Sequence, residues 1–165
     1  MKKIIITVLI IAVLFPMALF AQGEKITGRV TTLIENRKIS DAKEVETENG
    51  LSLYIERHGQ TILFDTGGSD KFINNAKGLG VDLRNVDIAV ISHAHMDHVG
   101  GLPYFLRMNE KAPVYMSKNA QKEQDFKALL AKIEEEYPHR IQYVDRFTEI
   151  ARDTYVLNEI KGSDE

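Results

Sequence analysis

The chain has 165 residues, of which 44% are hydrophobic and 27% charged, with no cysteine, no tryptophan and a net charge of −3. This composition suits a folded domain and excludes disordered or collagen-like chains. It also excludes disulfides, thiolate metal sites and cysteine nucleophiles, and the acidic balance gives nucleic acid or an anionic membrane no electrostatic reason to bind.

Lys2 and Lys3 precede an apolar run from Ile4 to Phe20 that ends in Ala21-Gln22. A basic start, an apolar middle and a small residue before a polar one form a secretory signal peptide, cleaved after Ala21. The run is interrupted by Pro16 and falls short of the ~20 residues that cross a bilayer. The expected division is therefore a leader over residues 1–21 and a single domain over 22–165. That domain is expected in the periplasm or medium, with no stable membrane association after cleavage. No repeat or linker divides it further.

Ile26 to Leu33 carries the β-formers Ile26, Val30 and Thr32 and predicts a first strand. The polar stretch from Asn36 to Glu48 predicts a loop bordering a substrate site. Leu51 to Glu56 alternates as a half-buried strand, and His58-Gly59 predicts a tight turn into Thr61-Ile-Leu-Phe64, giving a hairpin. Ser69-Asp70 is set to cap a helix through Lys77, stopped by Gly78 and Gly80. Val86 to Ser92 is a short β-branched run that predicts a strand buried on both faces.

Six residues follow that carry three of the five histidines: His93-Ala94-His95-Met96-Asp97-His98. Their position at the carboxyl end of a buried strand is where open α/β sheets place ligands. In extended backbone His93 and His95 point the same way and reach one ion together. A turn toward a helix start swings Asp97 and His98 to a neighbouring position, where they reach a second. Imidazole and carboxylate suit a borderline cation such as Zn²⁺, and other divalent metals also fit. Gly100 and Gly101 are expected to permit backbone angles that a Cβ would forbid.

Beyond the cluster, Pro113 to Met116 predicts a strand. Ser117 or Asn119 is set to cap a helix through about Tyr137, with Phe126, Leu129, Leu130, Ile133 and Tyr137 at helical spacing for core packing. A last pair of short strands is expected at Ile141–Val144 and Thr154–Leu157. Strands and helices alternate, so the fold class is α/β, a mixed sheet with helices on its outer face. His58 and His139 fall in predicted turns and read as solvated residues. Asp65-Thr66-Gly67 also resembles the active-site turn of aspartic proteases, where two such carboxylates share a proton. A single copy would require a dimer of an all-β fold, and the helix and the histidine cluster both argue against it.

Ser92-His-Ala-His-Met-Asp-His-Val-Gly-Gly-Leu102 resembles the His-x-His-x-Asp-His motif of metallo-β-lactamase-fold hydrolases. Gly50 to Gly67 is similar to the paired strands and Asp-Thr-Gly turn that precede this motif. Asn74 to Leu83 is similar to one branch, the dihydropterin (ribofuranosyl)aminobenzene phosphate synthase-like proteins. The resemblance covers roughly residues 26–144. It implies an αββα sandwich built from two similar halves, of which this chain carries the N-terminal one.

The resemblance further implies that His93 and His95 hold the first of one or two Zn²⁺ ions and that Asp97 and His98 hold the second. Asp97 then has a catalytic role too, orienting the attacking water or helping to protonate the leaving group. Asp65 lies beneath the metal loop and accepts the other ring N–H of a ligating histidine. The implied activity is metal-assisted hydrolysis of a small-molecule substrate. One alternative is a phosphoribosyl-type synthase on the same fold, which export argues against. Another is an inactive metal-binding remnant or one piece of a split protein. The family also calls for a later histidine on the first ion, a later bridging acid and a final histidine, and after His98 the chain offers only His139. A truncated domain is therefore expected, binding zinc weakly and turning over poorly. Its uncovered sheet face would meet a missing C-terminal half or a second copy of itself.

Overall fold

The computed structural model describes residues 28–37 and 45–157. The leader expected over residues 1–21 lies outside them, as do the start of the strand expected from Ile26, much of the loop expected between Asn36 and Glu48, and the chain beyond 157.

Six strands form one mixed sheet in sequence order: β1 (Gly28–Ile34), β2 (Ser52–Arg57), β3 (Gln60–Phe64), β4 (Ile88–Ile91), β5 (Val114–Ser117) and β6 (Ile141–Val144). The first three pair antiparallel and the last four parallel. The β2–β3 connection is the two-residue turn predicted at His58-Gly59. Both residues sit at positive φ, 50° and 75°, the backbone that matches strand twist in a tight hairpin.

Parallel neighbours need long crossovers, and these carry the helices α1 (Lys71–Gly78), α2 (Met96–Val99), α3 (Leu102–Met108) and α4 (Gln124–Glu136). Right-handed crossovers in a strand order that never reverses put every crossover on the same side of the sheet. Phe72 and Ala76 of α1, Leu102, Phe105 and Leu106 of α3, and Phe126, Leu130 and Ile133 of α4 accordingly share one core with Tyr54, Leu63, Ala89, Ile91, Val114 and Met116 of the sheet. Strand β4 is buried on both faces along its whole length, as expected of a central parallel strand.

The opposite face carries Ile62, Ile88 and Val90. It is covered by a separate hairpin, β7 (Thr148–Ala151) and β8 (Thr154–Val156), through Ile150, Ala151 and Val156. Both strands expected at the end of the sequence are present, as β6 and β8, and β7 between them was not foreseen. Ile141–Val144 lies outside the hairpin. It extends the large sheet beside β5, because a connection containing α4 returns the chain parallel, and Thr148–Ala151 is the partner of β8. The hairpin covers the middle of this face, while Val30, Phe147, Tyr155 and Leu157 remain exposed.

Helix α4 is also shorter than the predicted 119–137. Lys118–Lys122 forms a 3₁₀ turn, capped by Ser117 Oγ accepting from Asn119 N at 3.0 Å, and Glu123 then leaves helical angles before α4 begins. The first residue of the apolar helical stripe is Phe126. Nothing upstream of it except Ala120 faces the core, so no packing holds the earlier residues in register.

Asn75 of α1 ties the elements around the future site. Its Nδ2 donates to Leu33 O at 2.6 Å and to Glu46 O at 2.8 Å, and its Oδ1 accepts from Glu46 N at 2.8 Å. The amide is almost fully buried. It pins the segment leading into β2 against the helix.

Candidate functional site

Strands β3 and β4 run parallel with Phe64 opposite Val90, so the residues leaving each strand meet at one sheet edge. Asp65 leaves β3 at φ 56°, a left-handed angle that aspartate tolerates better than most residues. Its N–H still donates to Val90 O at 2.9 Å, while the side chain turns under the loop that follows β4. There it is fully buried. Oδ1 accepts from Ser92 N at 2.7 Å, and Oδ2 accepts from Ser92 Oγ at 2.6 Å and from His98 Nδ1 at 2.8 Å.

These bonds set the imidazole tautomers. His98 carries its proton on Nδ1, donated to Asp65, which leaves the Nε2 lone pair free. Ser92 gives its hydroxyl proton to Asp65 and therefore accepts from His93 Nδ1 at 2.9 Å, which leaves His93 Nε2 as an acceptor, directed at His95 Nδ1. Partial burial, followed by the nearby His98 and His95, holds the His93 pKa below the ordinary imidazole value. Neutral imidazole is the metal-binding form.

Backbone geometry separates the donors into two pairs. The chain is extended at His95, ψ 144°, and helical from Met96, so the direction changes between His95 and Asp97. His93 Nε2 lies 3.1 Å from His95 Nδ1. Two nitrogens on one tetrahedral zinc, each at about 2.0–2.1 Å, stand roughly 3.3 Å apart, so this pair has the span of one coordination edge. His98 Nε2 lies 3.8 Å from Asp97 Oδ2, a second and wider pair. The ring centroids of His93 and His98 are 4.1 Å apart, so the pairs adjoin. Among the described residues no three His, Asp or Glu side chains are grouped to hold a single ion. The sequence-predicted residues His93, His95, Asp97 and His98 are thus brought together at the end of β4 with Asp65 beneath them, as two pairs of donors.

The glycines after the cluster act differently from expectation. Gly100 and Gly101 have ordinary right-handed helical angles, so conformational freedom is not what they supply. They supply room. A Cβ on Gly101 would stand 2.3 Å from Thr66 O and 2.7 Å from Ser69 O, and one on Gly100 would stand 2.5 Å from Gly68 O. The Asp65–Ser69 turn and the α2–α3 junction are packed backbone against backbone, with Thr66 N and Oγ1 both donating to His98 O at 2.8 and 3.0 Å.

His58 and His139 lie apart from the cluster. His139 is an exposed turn residue, as expected, whereas His58 is half-buried rather than solvated. Two site residues were not foreseen. Glu48 accepts from Gly68 N at 2.9 Å, Ser69 N at 3.1 Å and Ser69 Oγ at 2.6 Å. Asn49 Nδ2 donates to Asp97 Oδ2 at 3.0 Å. The only sequence signal for them is an acid and an amide just before Gly50, two residues ahead of β2.

The model of one protein family, the metallo-beta-lactamase superfamily, matches residues 45–162. Ribonuclease TTHA0252 of Thermus thermophilus is 38% identical over 63 residues, which are 36% of this chain and 14% of that protein. The anaerobic nitric oxide reductase flavorubredoxin of Aeromonas salmonicida is 34% identical over 82 residues, 47% of this chain and 16% of that one. The 7,8-dihydropterin-6-methyl-4-(beta-D-ribofuranosyl)-aminobenzene-5'-phosphate synthase of Methanocaldococcus jannaschii is 32% identical over 79 residues, 44% and 27% of the two chains. The chain thus spans between 14% and 27% of the length of these relatives. Among solved structures, Rm3 metallo-beta-lactamase is similar at 30% identity and a TM-score of 0.42, over 47% of this chain and 30% of that one.

Proposed function

The chain belongs to the metallo-beta-lactamase superfamily, and on that premise we propose that it is an exported metal-dependent hydrolase of small molecules whose donors are His93, His95, Asp97 and His98. The observation that carries this reading is the network through Asp65 and Ser92, which leaves the Nε2 lone pair of His98 without a hydrogen bond and turns that of His93 toward His95, the other nitrogen of its pair. A purely structural role for His98 would use both of its ring nitrogens on the protein. Here the buried carboxylate supports one nitrogen and leaves the other for a ligand, the usual arrangement behind metal-bound imidazole.

His93 and His95 would hold one ion, and Asp97 and His98 a second, with zinc favoured by the mix of imidazole and carboxylate. When bound, such ions lower the pKa of water toward about 7 and polarise a carbonyl or phosphoryl oxygen. The chain's own contribution is orientation. Asp65 and Ser92 fix the rings, the glycine packing fixes the loop, and Asp97 offers a carboxylate oxygen to hold a water proton or to pass one to a leaving group. The acidic balance favours a small-molecule substrate over nucleic acid. Export rests on Lys2, Lys3 and the apolar run after them, and places the activity in the periplasm or medium. Among the described residues no helix is long and apolar enough to cross a membrane.

The test is hydrolysis of a phosphodiester, a lactone and a β-lactam by the purified protein, with and without chelator. Two protein donors per ion predict slow turnover, so the deciding feature is dependence. Activity should vanish with chelator, return with zinc and fall by about 10²-fold or more in Asp97→Ala. Turnover indifferent to chelator overturns the proposal. Folded, zinc-loaded protein inert toward all three favours the remnant, and synthesis of a phosphoribosyl product favours the alternative enzyme.

A further inference from the structure

Asp97 is held from outside its own loop, by a chain of amides that closes in only one orientation. Gly50 N donates to Asn36 Oδ1 at 2.9 Å. That contact fixes which end of the Asn36 amide is oxygen and turns its Nδ2 toward Asn49 Oδ1, 3.2 Å away. The Asn49 amide is oriented in turn, and its Nδ2 meets Asp97 Oδ2 at 3.0 Å. Each amide settles the next, ending on a carboxylate oxygen 3.8 Å from His98 Nε2.

The backbone is committed to the same approach. Gly50 sits at φ 124°, and a Cβ there would lie 1.8 Å from Asp97 O. Only glycine allows the segment before β2 to come so close. At the other end of that segment, Glu48 is bound to Gly68 and Ser69, and Glu46 is bound to Asn75. Residues 46–50 therefore form a strap fixed at both ends, with Asn49 presented to Asp97 between them.

We propose that Asn49 is the positioning residue of the second donor pair, its neutral amide fixing Asp97 Oδ2 beside His98 Nε2 and leaving the other carboxylate oxygen outside this bond. The assignment rests on the metal reading of Asp97 and His98 given above. An amide suits the role because it donates without competing. A lysine in its place would draw Asp97 into an ion pair, and an aspartate would repel it at close range. Asn49 is exposed, so its bond to Asp97 contributes little to folding.

The experiment is a Co²⁺ titration of the full chain and of Asn49→Ala, Asn49→Asp and Asn49→Gln, followed by the ligand-field spectrum, with thermal unfolding recorded alongside. The expected result is two binding phases in the wild type. The phase assigned to Asp97 and His98 weakens about tenfold in Asn49→Ala, the lower end of what is usual for partners of metal ligands. It weakens further in Asn49→Asp and is largely restored in Asn49→Gln, with the His93–His95 phase and the melting temperature unmoved. Wild-type isotherms and spectra in Asn49→Ala, while Asp97→Ala loses the second phase, overturn the assignment and spare the metal reading. A wild-type chain that takes up no Co²⁺ defeats both.

Discussion

Asp65→Ala should lower the stability of the fold by on the order of 3 kcal/mol, the sum of two losses. The first is hydrogen bonding. The carboxylate is fully buried and accepts three bonds, from Ser92 N, Ser92 Oγ and His98 Nδ1. Alanine leaves the Ser92 N–H and hydroxyl facing a cavity. The second loss is conformational, since residue 65 sits at φ 56°, where alanine costs about 1–2 kcal/mol that aspartate partly avoids. Asp65→Asn separates structure from chemistry. It tolerates the angle and still accepts from Ser92 N, so its stability loss should be less than half as large. Its NH₂ group, however, meets Ser92 Oγ and His98 Nδ1, which reverses the imidazole tautomer and turns a protonated nitrogen toward the metal position. Zinc affinity should then fall about 10–100-fold. Urea unfolding and a zinc titration of both variants check this. An Asp65→Ala protein within 1 kcal/mol of wild type, or an Asp65→Asn protein with unchanged zinc affinity, would show that Asp65 does not organise the loop.

Gly101→Ala should destabilise by about 3 kcal/mol, the upper end of overpacking penalties. The sign is the informative part. Gly101 has φ −76° and ψ −12°, angles at which alanine ordinarily stabilises a chain by about 0.4–1 kcal/mol through the unfolded state. Here the added methyl meets Thr66 O at 2.3 Å, Ser69 O at 2.7 Å and Phe72 Cε1 at 2.9 Å. Two of the three are backbone carbonyls of the turn that carries Asp65, so relief requires the whole turn to move. The same movement separates Thr66 from His98 O and disturbs both donor pairs. A lower urea midpoint with an unchanged denaturant slope is the expected reading. A stabilised Gly101→Ala protein would mean that the turn and the α2–α3 junction are not in contact.

What could be read in the sequence was what local chemistry decides. The His58-Gly59 hairpin follows from two residues that accept positive φ, and β4 follows from an unbroken apolar run. The gathering of His93, His95, Asp97 and His98 follows from their adjacency after that strand. The apolar stripe of α4 was legible from Phe126 onward, but the helix start was set too early, because residues 118–123, polar apart from Ala120, carry no periodic signal to mark a break. Strand β7 was missed for a related reason. Short strands such as Thr148–Ala151 state their partner only through tertiary packing. Asn36, Asn49 and Glu48 were illegible for a different reason. Their roles depend on side chains reaching residues 13, 48 and 20 positions away, and no spacing rule encodes such a distance. The close packing at Gly100 and Gly101 is likewise a contact between segments, and only the presence of glycine was visible.

The most direct test of the account is the zinc content of the folded protein after equilibrium dialysis against buffered free Zn²⁺, for wild type, His95→Ala and Asp97→Ala. Two donor pairs predict saturable binding of up to two ions by the wild type. His95→Ala should lose the ion of the first pair and Asp97→Ala the ion of the second, each keeping the other. Folded wild-type protein with no saturable zinc, or variants that retain the wild-type content, would contradict the assignment of these residues as metal donors.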